Sequence, residues 1–425
     1  MSTQPLPLRR SRRHATIIPV SDWISMGYSN EDAQTMNQIQ QDMKFYRVFE
    51  EDTIVLGVNS PNNGYQHNDW MIPHWKKLFK AINGRTLVDT FYIRHIHLPV
   101  SVLDMMFPAL QSVNNLKKLG LKGTDLGNDG LQRLISFLER NSSLSDLYID
   151  FNGDIIDDIS AANAFSSALK EHPILNKLLL YNGGLNNANV LRVILEGCTR
   201  LKHVELSDNL GSEVVGVLAD FISGNHPTEY LFLQHNKITD SDTILLASAL
   251  TENTNLTQFD LSGNDDITEE GEKTLLNALF DPTSMNSIIE SNHTCIVHTY
   301  DVKSNTAIAQ RPLFEQEVFK INLDGGSIQQ KIRKKVVLAL CWVNGELFDM
   351  AYLNDITLQL MPRVLALIQE HTYTAQHMFN DRKLEKDALL RLFLTLRRWE
   401  LPLLFENLSP KKGTVGKRKR RKTRR

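Results

Sequence analysis

The sequence predicts an α/β solenoid, with parallel strands on a concave face, helices on a convex face and a curved, horseshoe-like course. Three observations predict it. The phrase L-x-x-L-x-L-x-x-N recurs between residues 88 and 292, as in LKKLGLKGT at Leu116, LSDLYIDFN at Leu144, LKHVELSDN at Leu201 and LTQFDLSGN at Leu256. Copies begin at Val88, Leu116, Leu144, Leu175, Leu201, Thr228, Leu256 and Met285, 26 to 31 residues apart. The intervals between them carry apolar stripes at helical spacing.

The strands come first. All but Thr228 and Glu290 of the first-, fourth- and sixth-position residues are apolar, 22 of 24, where a chain that is 42% apolar would give about 10 by chance. Alternation turns these positions inward and leaves the fifth and seventh on the open strand face.

Helices fill the intervals. Asn128 to Arg140 places Leu131, Leu134, Ile135 and Leu138 on one stripe, and Ser212–Ser223 and Asp240–Asn253 read the same way. Asp129, Asp157, Ser212, Asp240 and Glu269 stand where each helix opens, as oxygen acceptors for unpaired backbone N–H groups. Asn152, Asn209, Asn236 and Asn264 follow the strands, where an amide can bond the turn and the adjacent repeat.

These residues resemble the ribonuclease-inhibitor-like class of leucine-rich repeat proteins, a class that includes the Ran GTPase-activating protein. The resemblance covers about half the chain. It implies a protein partner gripped along the concave strands. It also suggests a Ran-GAP-like GTPase activator as an alternative function, although that relative's C-terminal tail is acidic and this one is basic. A substrate-recruiting subunit of a ubiquitin ligase is a further alternative, although residues 20–60 do not read as the three apolar helices of an F-box.

Five regions follow: a disordered basic N-terminus (1–30), an N-terminal cap (31–87), seven or eight repeats (88–300), a helical C-terminal module (301–409) and a disordered basic tail (410–425). The cap is needed because an open solenoid end exposes its core. It holds a β-rich run at Thr53 to Val58, a turn-rich loop at Ser60 to Asp69, and a helix with Trp75, Leu78, Phe79 and Ile82 on one face. In the C-terminal module, Gly326 to Gly345 reads as a helix, two more follow it, and residues 374–382 read as a mobile loop.

Charge is segregated. The whole chain carries 47 basic and 49 acidic residues. Ten of the basic residues lie in 411–425 and four in 1–14, neither of which holds an acid, so the body between keeps 33 basic against 49 acidic residues, a net charge of −16. Lys417, Arg418, Lys419, Arg420, Arg421 and Lys422 read as a nuclear-import signal for an import receptor, with non-specific nucleic-acid contact as the other expectation for the tail. No apolar run suits a signal peptide or a membrane span, and Cys198, Cys295 and Cys341 are few, odd in number and far apart. The expectation is an intracellular, non-secreted protein of the nucleus, or of nucleus and cytoplasm.

The expected site is a protein-binding concave surface of Tyr92, Arg94, Tyr148, Asp150, Tyr181, Glu205, Phe232, Gln234 and Asp260, with the aromatics as anchors. No catalytic, metal or cofactor site is expected, and the chain reads as no enzyme. The glycine-rich stretch Gly120 to Gly130 lacks the G-K-[ST] of a phosphate loop. His293, Cys295 and His298 lack a fourth metal ligand.

Overall fold

The computed structural model describes residues 17–48, 51–57, 69–150, 158–299 and 313–342. Residues 1–14, the loop at 60–68, Asn152, Asp157, the two helices expected beyond residue 342, the loop at 374–382 and the tail from Lys417 to Lys422 lie outside the described residues. The chain divides into two compact units, Met1–Leu279 with Asn292–Leu323, and Phe280–Ser291 with Asp324–Arg425.

The first unit opens with helices α1 (Val20–Ser25) and α2 (Asn30–Val48). Nine strands follow: β1 (Thr53–Gly57), β2 (Thr90–Arg94), β3 (Lys118–Lys122), β4 (Asp146–Asp150), β5 (Lys177–Tyr181), β6 (His203–Glu205), β7 (Tyr230–Phe232), β8 (Gln258–Asp260) and β9 (Ile296–His298). Each pairs in parallel with its neighbour in sequence, giving one open sheet in the order β1 to β9. Register sets like positions of the phrase side by side, as in Leu119 beside Leu147 and Leu147 beside Leu178.

Between the strands run α3 (Ile72–Ile82), α4 (Val100–Gln111), α5 (Gly127–Arg140), α6 (Ile159–Glu171), α7 (Ala188–Cys198), α8 (Val215–Ser223), α9 (Asp240–Glu252) and α10 (Glu269–Leu279), each packed on the next. Helices need about 8–10 Å between axes and strands only about 4.8 Å, so a stack of one helix per strand curves with its strands inside. This is an α/β solenoid of leucine-rich-repeat type, as the sequence predicts.

Its core is the phrase itself. Phe91, Ile93, Leu119, Leu121, Leu147, Leu178, Leu180, Val204, Leu206, Phe259 and Leu261 are buried. Thr228, the polar exception, is also buried, and its hydroxyl donates to the Leu201 carbonyl at 2.9 Å. Asparagines stitch the turns as expected. Asn236 Oδ1 accepts from the Asn209 and Leu210 N–H groups at 2.8 and 2.9 Å, while its Nδ2 donates to the Leu206 carbonyl one repeat earlier at 3.0 Å. Asn264 donates to the Leu233 and Leu261 carbonyls. One residue before each asparagine position the chain turns out of the strand through the left-handed region, at His95, Gly123, Asn182, Asp208, His235 and Gly263, all with φ between 49° and 73°. These residue types, apart from histidine, are the ones that tolerate that conformation best.

The ends differ from the sequence expectation in three places. Residues 17–30 are not disordered: α1 lies there with Trp23 buried, and Ile18 N–H donates to Gln40 Oε1 of α2 at 2.8 Å. The sheet does not begin at Val88. β1, placed in the cap by its sequence, pairs with β2 in full register, Ile54 beside Phe91 and Leu56 beside Ile93. Glu51 stands at its first phrase position, exposed, which hides the copy from an apolar count.

The copy expected at Met285 is not a strand. Met285–Glu290 is helix α11, because Ser284 caps it by accepting from Ser287 N–H at 3.0 Å and Met285, Ile288 and Ile289 fall at helical spacing. The last described strand is β9, which begins eleven residues on, at Ile296. Helix α12 (Leu313–Leu323) packs against β9, where Asn322 Nδ2 donates to the Cys295 carbonyl at 2.6 Å. In the second unit α11 packs with α13 (Ile328–Trp342), which lies within the helix expected at Gly326 to Gly345. No described helix is long and apolar enough to cross a membrane.

Candidate binding surface

Because the fourth and sixth residues of each phrase face the helices, the third, fifth and seventh face away. On β2 to β5 this outward row reads Thr90, Tyr92, Arg94; Lys118, Gly120, Lys122; Asp146, Tyr148, Asp150; and Lys177, Leu179, Tyr181. Tyr92, Arg94, Tyr148 and Tyr181 are half-buried, and Lys118 and Lys122 are exposed.

These side chains surround a depression of about 470 Å³ lined by Tyr92, Arg94, His95, Gly120, Lys122, Tyr148, Ile149, Asp150, Leu179 and Tyr181. Gly120 shapes it. The Tyr92 ring from β2 lies across Gly120 of β3, so that a Cβ there would sit 1.9 Å from Tyr92 Cδ1. That gap lets Tyr92 reach Tyr148 of β4, with ring centroids 5.4 Å apart and planes at 57°. Cations flank the rings: Arg94 Cζ lies 5.6 Å from the Tyr92 centroid and Lys177 Nζ 5.6 Å from the Tyr148 centroid.

Titration follows from this crowding. Burial, then the neighbouring Tyr148, push the Tyr92 phenol well above its usual range. Burial raises Tyr148 as well. Tyr181 rises furthest, through burial and then the Glu205 carboxylate to which its hydroxyl donates. His95 is pushed down by burial and then by Lys122. At neutral pH the tyrosines therefore stay protonated, and the rim charge comes from Arg94 and the lysines.

A second cluster covers β6 to β8. His203 stacks on Tyr230 with centroids 5.5 Å apart and meets Phe232 edge-on at 4.8 Å. Its Nε2 lies 3.7 Å from Glu205 Oε2. Gln234 Nε2 donates to Asp260 Oδ2 at 2.9 Å.

The structure thus gathers Tyr92, Arg94, Tyr148, Asp150 and Tyr181 into one depression. Glu205 joins it through Tyr181, and Phe232, Gln234 and Asp260 form the neighbouring cluster. The expectation that all nine residues are open to a partner needs correction for three. Asp150, Glu205 and Asp260 are only 5–7% exposed. Each carboxylate is held by groups in its own or a neighbouring repeat: Asp150 by Asn182 Nδ2 at 2.9 Å, Glu205 by Tyr181, and Asp260 by Gln234 and by the Ser262 N–H at 2.9 Å. They position their neighbours rather than face solvent.

The third phrase position, which supplies Lys118, Asp146, Lys177, His203 and Tyr230, is missing from the sequence-predicted set. It shares the face of the fifth and seventh residues, so strand alternation alone could have found it. Cys198 and Cys295 are buried, and burial pushes the Cys198 thiol up to about 12. A thiol held protonated in this way is a poor nucleophile.

No family model matches the chain, and no curated protein matches it. Among solved structures, a chain in the crystal structure of the Rad7 and Elc1 complex in yeast is similar, with 15% sequence identity and a TM-score of 0.36 over 61% of this chain and 74% of that one.

Proposed function

We propose that the chain is a non-enzymatic protein-interaction scaffold that receives a protein partner on its concave strand face, over β2 to β7. One observation carries the reading. Tyr92, Tyr148 and Tyr181 stand half-open around a depression of about 470 Å³ on a face that no described helix covers, with Tyr230 and Phe232 continuing the aromatic row. Such side chains bring large contact area at low conformational cost, which is what an interface anchor needs. From β2 to β8 the strands follow one another at 26 to 31 residues with one α-helix between neighbours, which supports a solenoid of the ribonuclease-inhibitor-like type.

Affinity purification of the full chain with mass spectrometry, repeated with Tyr148→Ala plus Phe232→Ala, tests this. The double variant is expected to lose partners that the wild-type chain retains. If every partner survives it, the concave-face reading is wrong.

The same proposal places the protein in the nucleus, or in nucleus and cytoplasm, through an import receptor at Lys417 to Lys422. The support is ten basic and no acidic residues in 411–425. A fluorescent fusion lacking 411–425 is expected to lose nuclear accumulation, and unchanged nuclear signal would remove this part of the proposal.

A further inference from the structure

Resting on that reading, we infer that the segment seated over β2 to β5 is an acidic stretch of protein chain that also carries an aromatic or aliphatic side chain. The body is acid-rich, with 33 basic residues against 49 acidic. Away from the concave face, four described basic side chains use those acids: Lys117 reaches Asp89 at 3.6 Å, Arg133 reaches Asp104 at 2.6 Å, Arg192 reaches Asp220 at 3.3 Å and Lys202 reaches Glu229 at 2.8 Å. Lys118, Lys122 and Lys177 do not, as Lys76 and Lys80 of α3 do not, but these three gather at outward positions of neighbouring strands. Among the described residues none of the three has a carboxylate within 4.0 Å, and Lys177 lies over the Tyr148 ring instead.

The three lysines stand over β3 to β5 beside Arg94 of β2, against Asp146, the buried Asp150 and Asp208, which lies in the field of Lys122. The outward positions of β6 to β8 hold Glu205 and Asp260 and no lysine or arginine. The face is polarised along the solenoid, its cations confined to the N-terminal half. A partner's carboxylates complement the first half, and its apolar side chain fills the depression between the tyrosines and Leu179. A nucleic acid fits less well. β6 to β8 offer no cation to phosphates that continue along the face, and the Tyr92 and Tyr148 rings meet each other rather than standing apart for bases to stack.

The test uses the full chain and a fluorescein-labelled decapeptide of glutamates around a central Phe-Leu pair, with a thymidine decanucleotide and a lysine decapeptide as comparisons. Fluorescence polarisation is expected to show the acidic peptide bound and weakened by added salt. Lys122→Glu with Lys177→Glu is expected to weaken it by at least about tenfold. A benzophenone version of the peptide is expected to cross-link within residues 90–181. Cross-links confined to 411–425, unchanged affinity in the double reversal, or tighter binding of the nucleotide would each overturn the inference. The scaffold proposal fails separately. If Tyr148→Ala with Phe232→Ala releases partners that Lys122→Glu with Lys177→Glu retains, the scaffold stands and the acidic segment does not.

Discussion

Tyr92 and Tyr148 meet ring to ring across an intervening strand because that strand carries Gly120 between them, the centroids lying 5.4 Å apart. Two strand-to-strand spacings separate the residues in the sheet, a span of about 9–10 Å, so neither ring could reach the other over an ordinary side chain. Gly120 thus sets the floor of the depression.

Gly120→Val fills that floor. A Cβ at 1.9 Å from Tyr92 Cδ1 cannot be accommodated without moving the ring. We expect Tyr92 to swing outward and separate from Tyr148, the near-ultraviolet circular dichroism of the tyrosines to fall, and stability to drop by about 1–3 kcal/mol, the usual cost of overpacking. An unchanged tyrosine signal would show that the two rings are not coupled through this gap.

His172 offers a pH test. Asn141 and Asn253 end their helices by accepting N–H groups three residues ahead, at Leu144 and Leu256, both buried. In the repeat between them His172 does this through Nδ1, accepting from Leu175 N–H at 3.1 Å. Burial lowers the His172 pKa below 6.5, so the unfolded chain binds the proton more readily than the folded one. Its contribution is full above the unfolded value and is lost as pH falls from there toward the folded value. His172→Asn keeps the acceptor and removes the titration. Thermal unfolding from pH 7.5 to 5 is expected to fall less steeply in the variant. His95 and His226, also lowered by burial, leave a residual slope.

Asp240 acts between repeats rather than as the opener of its own helix. Thr239 and Asp242 cap α9 reciprocally, while Asp240 Oδ1 accepts from the Thr268 and Gly271 N–H groups at 2.7 and 3.1 Å and Oδ2 from the Thr268 hydroxyl at 2.6 Å. Those bonds, the hydroxyl first, hold its pKa below 3.8. A depressed carboxyl stabilises the fold above the unfolded value and stops doing so as pH falls through the folded one. Asp240→Asn is therefore expected to lower the urea midpoint at pH 7 and to flatten the loss of stability between about pH 4 and pH 2. Thr239→Ala instead is expected to cost about 1 kcal/mol with the acid limb intact. Equal acid limbs in wild type and Asp240→Asn would rule out the inter-repeat role.

How much was legible varies by element. The stripe at Leu131, Leu134, Ile135 and Leu138 specified α5, and Phe91, Leu119, Leu147 and Leu178 specified the buried line of the sheet, because burial of one face imposes a period that one residue after another repeats. β1 escaped because Glu51 occupies its first position, although Ile54, Leu56 and Asn59 keep the fourth, sixth and ninth. Met285 misled because three apolar residues satisfy a strand phrase as readily as one helical turn, and the cap at Ser284 decides between them.

What the sequence by itself determined is the architecture: a strand and a helix per repeat, the face each residue takes, and the asparagine turns, since all of these depend on neighbours within a few positions. Only the tertiary structure decided which outward residues stay open to solvent. Asp150 is covered by Asn182, Glu205 by Tyr181 and Asp260 by Gln234, pairs made between repeats through strand register. The opening between Tyr92 and Tyr148 likewise depends on which residue lies beside them in space, and local spacing carries no record of that.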